Sequence, residues 1–145
     1  MSASLKLVAQ RRNGAGVWEP IAFDPEWGAY DIFGVLANQR NYAAAPSIAE
    51  PRHLPADWPD EPPYEMGGFA RWTAWADAYD LGDGVKSWLT LEEMLAFDYD
   101  QTFVNQRPPD AGVSMSVREH LGEAYFSDLH QMRALGVERI VFRIG

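Results

Sequence analysis

Between residues 43 and 64 the chain carries Pro46, Pro51, Pro55, Pro59, Pro62 and Pro63, and this run constrains the fold more than any other feature. Proline lacks a backbone N–H and fixes φ, so the stretch can be neither helix nor central strand. Regular structure must form on either side, with a long loop laid over the surface. Loops of this length are uncommon inside compact domains and are usually functional or disordered. Ile48, Leu54 and Trp58 supply apolar anchors, which predicts a loop packed down onto the body.

Before the loop, Leu5, Leu7 and Ala9 alternate along a predicted strand, which turns at Asn13–Gly16 and returns through Val17-Trp18 until Pro20 and Pro25 stop it. Ile32, Phe33, Val35 and Leu36 then fall at helical spacing between Asp31 and Asn38, with Asp31 at the positive helix start. After the loop, Phe69, Trp72, Trp75, Ala76 and Tyr79 predict a helix with an aromatic face, ending near Leu81–Gly84. Thr90 with Glu93 forms a capping box that opens a helix through Phe97. Ser116 with Glu119 repeats it, heading one long helix whose apolar face is Val117, Leu121, Ala124, Tyr125, Leu129, Met132 and Leu135, closed by Gly136. The β-branched tail Val137–Ile144 predicts a strand that pairs with the first. The expected architecture is a single α+β domain over residues 1–145: a small, mostly antiparallel sheet of N- and C-terminal strands, packed against several helices, with a long Pro-rich loop.

At 145 residues, 47% apolar and 13% aromatic, the chain has material for one sizeable core and is expected to fold alone. Cysteine is absent, which excludes a disulfide framework, a thiolate zinc site and a Cys nucleophile. No run is apolar enough to cross a bilayer and Met1–Arg12 lacks a signal-peptide pattern, so a cytoplasmic location without a membrane partner is expected. A net charge of -9 repels phosphate backbones and argues against duplex nucleic acid as a partner. The same acidity also serves solubility.

The glycines at Asn13–Gly16 and Leu81–Gly84 match neither a phosphate-binding loop nor a dinucleotide fingerprint and read as turns. His53, His120 and His130 do not stand at metal-ligand spacing, and no cofactor or metal is expected. Asp80, Asp83, Glu92, Glu93, Asp98 and Asp100 are dense enough for acid/base work, but capping and turn roles account for them as well. The most suggestive set is Asn38, Arg40, Asn41 and Tyr42, followed by Arg52 and, later, Trp88. Arginine offers a planar fork to anions, asparagine reads amide and base edges, and Tyr or Trp stacks on rings. Alternatively, Arg40 neutralises a helix C-terminus and Arg52 pairs with Glu50 or a nearby Asp.

The blocks Asp31-Ile32-Phe33 with Asn38-Gln39-Arg40-Asn41, Ile48-Ala49-Glu50-Pro51-Arg52-His53-Leu54-Pro55, and Ser87-Trp88-Leu89-Thr90-Leu91 resemble a family of uncharacterised phage and prophage proteins. Members of that family begin Met-Gly-Cys-Asp-Ile-His and carry His-Ser-His just before Ser-Trp, a set that looks like metal ligands. Here Ala3, Ser4 and Lys6, and Gly84, Val85 and Lys86, stand at those places. The resemblance therefore implies a scaffold kept without the ligands, hence binding rather than catalysis.

The resulting expectation is a non-enzymatic phage accessory protein. It would hold a small polar, nucleotide-like ligand in a cleft between the Pro-rich loop and Trp88, as a sponge for a host defence signal. Two alternatives stand beside it: an acidic inhibitor docking on a basic site of a host enzyme, and a hydrolase using carboxylates and His53.

Overall fold

The computed structural model describes residues 2–59, 76 and 79–145. The predicted aromatic helix lies outside the described residues except for Ala76 and Tyr79, as does the end of the Pro-rich run.

The strands β1 (Leu5–Arg12) and β2 (Trp18–Ile21) form the expected hairpin. Its turn is held by Asn13, whose Oδ1 accepts from the backbone N–H groups of Ala15 and Val17. Pro20 does not stop β2 but sits inside it, opposite Gln10. That is tolerated because β2 is a sheet edge, where a missing donor breaks no ladder. The helix α1 (Tyr30–Ala37) follows, and Asn38 closes it in the left-handed conformation at φ 54°.

After the loop come β3 (Val85–Thr90) and α2 (Leu91–Ala96), the latter opened by the expected Thr90/Glu93 capping box. A short hairpin, β4 (Thr102–Val104) with β5 (Ser114–Ser116), leads into α3 (Val117–Leu121), α4 (Glu123–Leu135) and β6 (Arg139–Ile144). The single long helix expected over this span is thus two helices. Gly122, at φ 83° and ψ 169°, breaks it. The break turns the apolar face, so Ala124 is exposed and Leu135 is 37% exposed, while Phe126 packs against the core instead.

The main sheet has the order β2-β1-β6-β3 and is antiparallel throughout, giving the α+β architecture. The C-terminal strand pairs with the first, as expected, but also with β3 on its other side. Being central, β6 is buried on both faces, which explains its nearly continuous apolar run. Ile140, Phe142 and Ile144 meet Ala9, Leu89 and the helical residues Phe33, Leu36, Leu129 and Met132. Burying side chains of this size stabilises by about 1.5–3 kcal/mol each. The opposite face presents Val141 beside Val8 to a second core with Trp58 and Leu81. The Pro-rich loop is therefore the cover of the sheet's second face, with Leu54 and Trp58 as its anchors.

Arg139 fixes that cover. Its buried guanidinium donates to Gln10 Oε1 at 2.8 Å and to Asp57 Oδ1 at 3.1 Å, and it lies 3.8 Å from the Trp18 ring centroid. Among the described residues, no helix is long and apolar enough to cross a membrane.

Candidate functional site

The six residues singled out in the sequence fall into three local groups. Asn38 and Asn41 staple the chain as it leaves α1. Asn41 Nδ2 donates to Asn38 Oδ1 and to the Ala45 carbonyl, both at 2.9 Å, and its Oδ1 accepts from Ala45 N–H at 3.0 Å. The Asn38 amide donates to Glu50. This staple holds Asn38, Arg40 and Ala44 at positive φ, a conformation costly outside glycine and sustained only by surrounding contacts. Gly34 makes the approach possible, since a Cβ there would stand 2.6 Å from Asn41 Oδ1.

Arg52 and Trp88 form the second group, with Glu93. The Arg52 guanidinium donates through both terminal nitrogens to the two Glu93 oxygens, with its Nη1–Oε1 arm at 2.8 Å, and Nη1 also reaches the Trp88 carbonyl at 3.3 Å. It lies 4.8 Å from the Trp88 ring centroid, while its backbone N–H donates to Ser87 Oγ. Glu93 also accepts from the N–H and hydroxyl of Thr90. The Arg52 contact foremost, with those from Thr90, overcomes the opposing effect of burial and holds the Glu93 carboxyl down at about 2. The partner of Arg52 is Glu93, whereas Glu50, the carboxylate the sequence suggested, goes to Asn38.

Arg40 and Tyr42 form the third group, and both are exposed. Arg40 lies over the Tyr30 ring at 5.9 Å, and its hydrogen bond with Tyr42 is the chief cause that raises its pKa further. The Tyr42 ring, 55% exposed, stands 6.1 Å from that of Tyr30. Among the described residues, no hydrogen bond, ion pair or ring contact joins this group to Arg52 or Trp88.

What it does join is a region not singled out in the sequence. Arg107 approaches the same Tyr30 ring at 5.5 Å. The loop carrying it is shaped by Asn105, whose Oδ1 accepts from Arg107 N–H, and is tied to the α1 exit by a bond from Gln106 N–H to the Ala43 carbonyl. Beside Arg107 opens a cavity of about 450 Å³ whose walls include Asp31, Arg107, Asp110, Ser114, Glu119 and His120. Glu119 is committed to its capping box with Ser116.

The His120 side chain is only 3% exposed and meets the Phe103 ring edge-on at 5.1 Å. Its Nε2 is 3.5 Å from Asp31 Oδ1, within ion-pair range but without hydrogen-bond geometry, and has no hydrogen-bond partner. Burial pushes the His120 pKa down; Asp31 opposes this, Arg107 adds to it and Asp110 opposes it. Arg107 in turn stands 3.9 Å from Asp31. The sequence held one signal of this region, the Arg107-Pro108-Pro109-Asp110 turn, which places an arginine and a carboxylate on a stiff loop.

An open groove of about 660 Å³ runs between the Pro-rich loop and β3, lined by His53, Leu54, Pro55, Val85 and Lys86, but none of the six residues singled out in the sequence is part of its lining. His53 is exposed at φ 66° and pairs with no carboxylate among the described residues. No group of three or more His, Cys, Asp or Glu side chains able to hold a metal ion is present among the described residues. No protein-family model, curated protein or solved structure matches the chain.

Proposed function

We propose that this chain is a non-catalytic binding protein for a small anion carrying a planar ring, such as a nucleotide, taken at the Tyr30, Arg40, Tyr42 and Arg107 surface and its adjoining cavity. One observation carries the reading. In a chain of net charge -9, two arginines distant in sequence converge on one tyrosine ring, and Arg40 has no carboxylate partner among the described residues. Like charges repel, so their convergence suits an anion placed between them, for which arginine provides the planar fork. The exposed Tyr42 ring offers a stacking face, and the cavity offers volume for a small molecule.

The non-catalytic part of the reading rests on the resemblance described above, in which Ala3, Ser4, Lys6, Gly84, Val85 and Lys86 stand where the ligand-like residues would be. Resemblance to phage proteins supplies a setting, in which a protein that holds a host signal in the cytoplasm lowers its free concentration. On this reading Arg52 and Trp88 brace the site from a distance by securing the Pro-rich loop.

Native mass spectrometry of the purified chain, followed by calorimetry with mononucleotides, tests the proposal. Arg40→Ala and Arg107→Ala should each weaken binding about tenfold or more, as expected for loss of a charge-assisted contact. Mononucleotides that fail to bind at millimolar concentration, or affinities indifferent to both substitutions, would remove the assignment.

A further inference from the structure

Two basic side chains meet at one carboxylate oxygen in the cavity wall. Asp31 Oδ1 stands 3.9 Å from Arg107 Nη1 and 3.5 Å from His120 Nε2. Arginine keeps its charge at every working pH, whereas an imidazole is charged only when protonated. Burial foremost holds the His120 pKa below the ordinary histidine value, so near neutral pH the ring is uncharged and its Nε2 makes no hydrogen bond. Protonation changes this, because both nitrogens of an imidazolium are donors and Nε2 then faces Asp31 with a proton. The charged groups around the ring come from three elements. Asp31 belongs to α1, Arg107 and Asp110 to the loop joining β4 to β5, and Glu119 to α3 itself, where it is engaged with Ser116. Phe103 of β4 meets the ring edge-on.

We infer that the anion site is coupled through Asp31 to a proton on His120, so that the ligand is held more tightly as the solution is acidified. The inference rests on the binding reading above and adds its regulation. With no anion bound, Arg107 draws on the Asp31 oxygen and its own charge opposes an imidazolium nearby. An anion at Arg107 offsets that charge, which leaves Asp31 to His120 and favours a proton on the ring. Coupling of two bound species is reciprocal, so the proton favours the anion by the same factor. The added affinity is therefore present where the ring of the complex is charged, and is lost as pH rises through the point at which that ring gives up its proton. Arg107 and Asp31 are both partly exposed, so solvent screening keeps the factor near the low end of such couplings, at about fivefold.

Both tests use the full chain carrying His53→Gln and His130→Gln, two exposed positions, which leaves His120 as its one histidine. An NMR titration of that ring should find its midpoint higher in Arg107→Ala, where the opposing charge is gone, and lower in Asp31→Asn. A midpoint indifferent to both substitutions overturns the inference irrespective of any ligand. Calorimetry then follows adenosine 3′,5′-cyclic monophosphate, whose phosphodiester keeps one charge throughout the histidine range. Its affinity should rise about fivefold between about pH 7.5 and about pH 5.5. Adding His120→Gln should bring the ratio of the two affinities to near one. Should that variant not fold, Asp31→Asn takes its place with the same expected loss. Equal affinity at the two pH values, or a rise that persists in these variants, overturns the coupling and leaves the anion site standing. Failure of the cyclic nucleotide to bind at either pH overturns the coupling, and failure of adenosine 5′-monophosphate as well overturns the anion site with it.

Discussion

Arg52 and Arg107 are both arginines on proline-bounded loops, yet their surroundings are opposites. Around Arg52 the contacts are close: both terminal guanidinium nitrogens reach Glu93, the guanidinium lies over the Trp88 ring, and the carboxylate also takes Thr90. Around Arg107 the contacts fall short, with Asp31 at 3.9 Å, His120 at 3.5 Å from the same oxygen, and Arg40 beyond the ring of Tyr30. The difference teaches that the residue type alone does not mark a ligand site. An arginine whose hydrogen bonds are closed within the fold is a strut, and one whose charges remain unanswered beside a cavity is available to something else.

Glu93→Ala is the strongest way to break this contrast. It removes the fork partner of Arg52 together with the capping box, and should destabilise the fold by about 2–4 kcal/mol in denaturant melts. A loss below about 0.5 kcal/mol would mean that the Arg52 cluster is no strut. Gly34→Ala comes next, because its new methyl meets Asn41 and so strains the staple that presents Arg40 and Tyr42. Overpacking of this kind costs about 1–3 kcal/mol, and the same substitution made in an Asn41→Ala background, where the clashing amide is gone, should cost much less.

Acid provides a milder probe of the same cluster. The Glu93 carboxyl is held at about 2 in the folded chain against an ordinary value near 4.5. Its folded pKa is depressed, so its stabilisation is complete above about 4.5 and is lost as pH falls toward about 2. With the pair one-third exposed, solvent screening leaves on the order of 1–2 kcal/mol of acid-linked stability, which should vanish in Arg52→Met when melts at pH 6 and pH 3 are compared. The smallest effect is expected at Arg40: Arg40→Ala should leave the melting temperature unchanged while ligand affinity falls. A clear drop in melting temperature would place Arg40 with the struts and erase the contrast.

Elements with strong local signatures were legible in the sequence. The two capping boxes, the Asn13–Gly16 turn and the β-branched terminal strand each depend on contacts within a few residues, so spacing alone discloses them. Strand β3 was not, because Trp88 breaks the alternation of Ser87 and Leu89 and the capping box that follows draws the eye to the helix. Trp88 is apolar on the outer face because the Pro-rich loop covers that face, a fact of tertiary packing. Gly122 illustrates the reverse failure. Its neighbours keep helical spacing, and only the extended, positive-φ backbone at that one residue divides the helix. Of the candidate site, Arg40 and Tyr42 were legible as residue types. Asp31, Arg107 and His120 were not, since α1, the hairpin loop and α3 meet only in the folded chain.

The place of β6 bears on how this molecule is made. It is synthesised after both of its sheet neighbours, and β1 and β3 have no pairing with each other. A nascent chain halted at Glu138 would hold every other described helix and strand, yet only isolated hairpins instead of the four-stranded sheet. Closure must bring Leu5 against Ile144 across nearly the whole length, a long-range pairing of the kind that folds slowly. Until then Val8, Leu89 and the inner faces of the helices lack the central strand they pack against, which leaves apolar surface exposed in the incomplete chain. Assembly of the four-stranded sheet is therefore gated by the arrival of the six residues of β6.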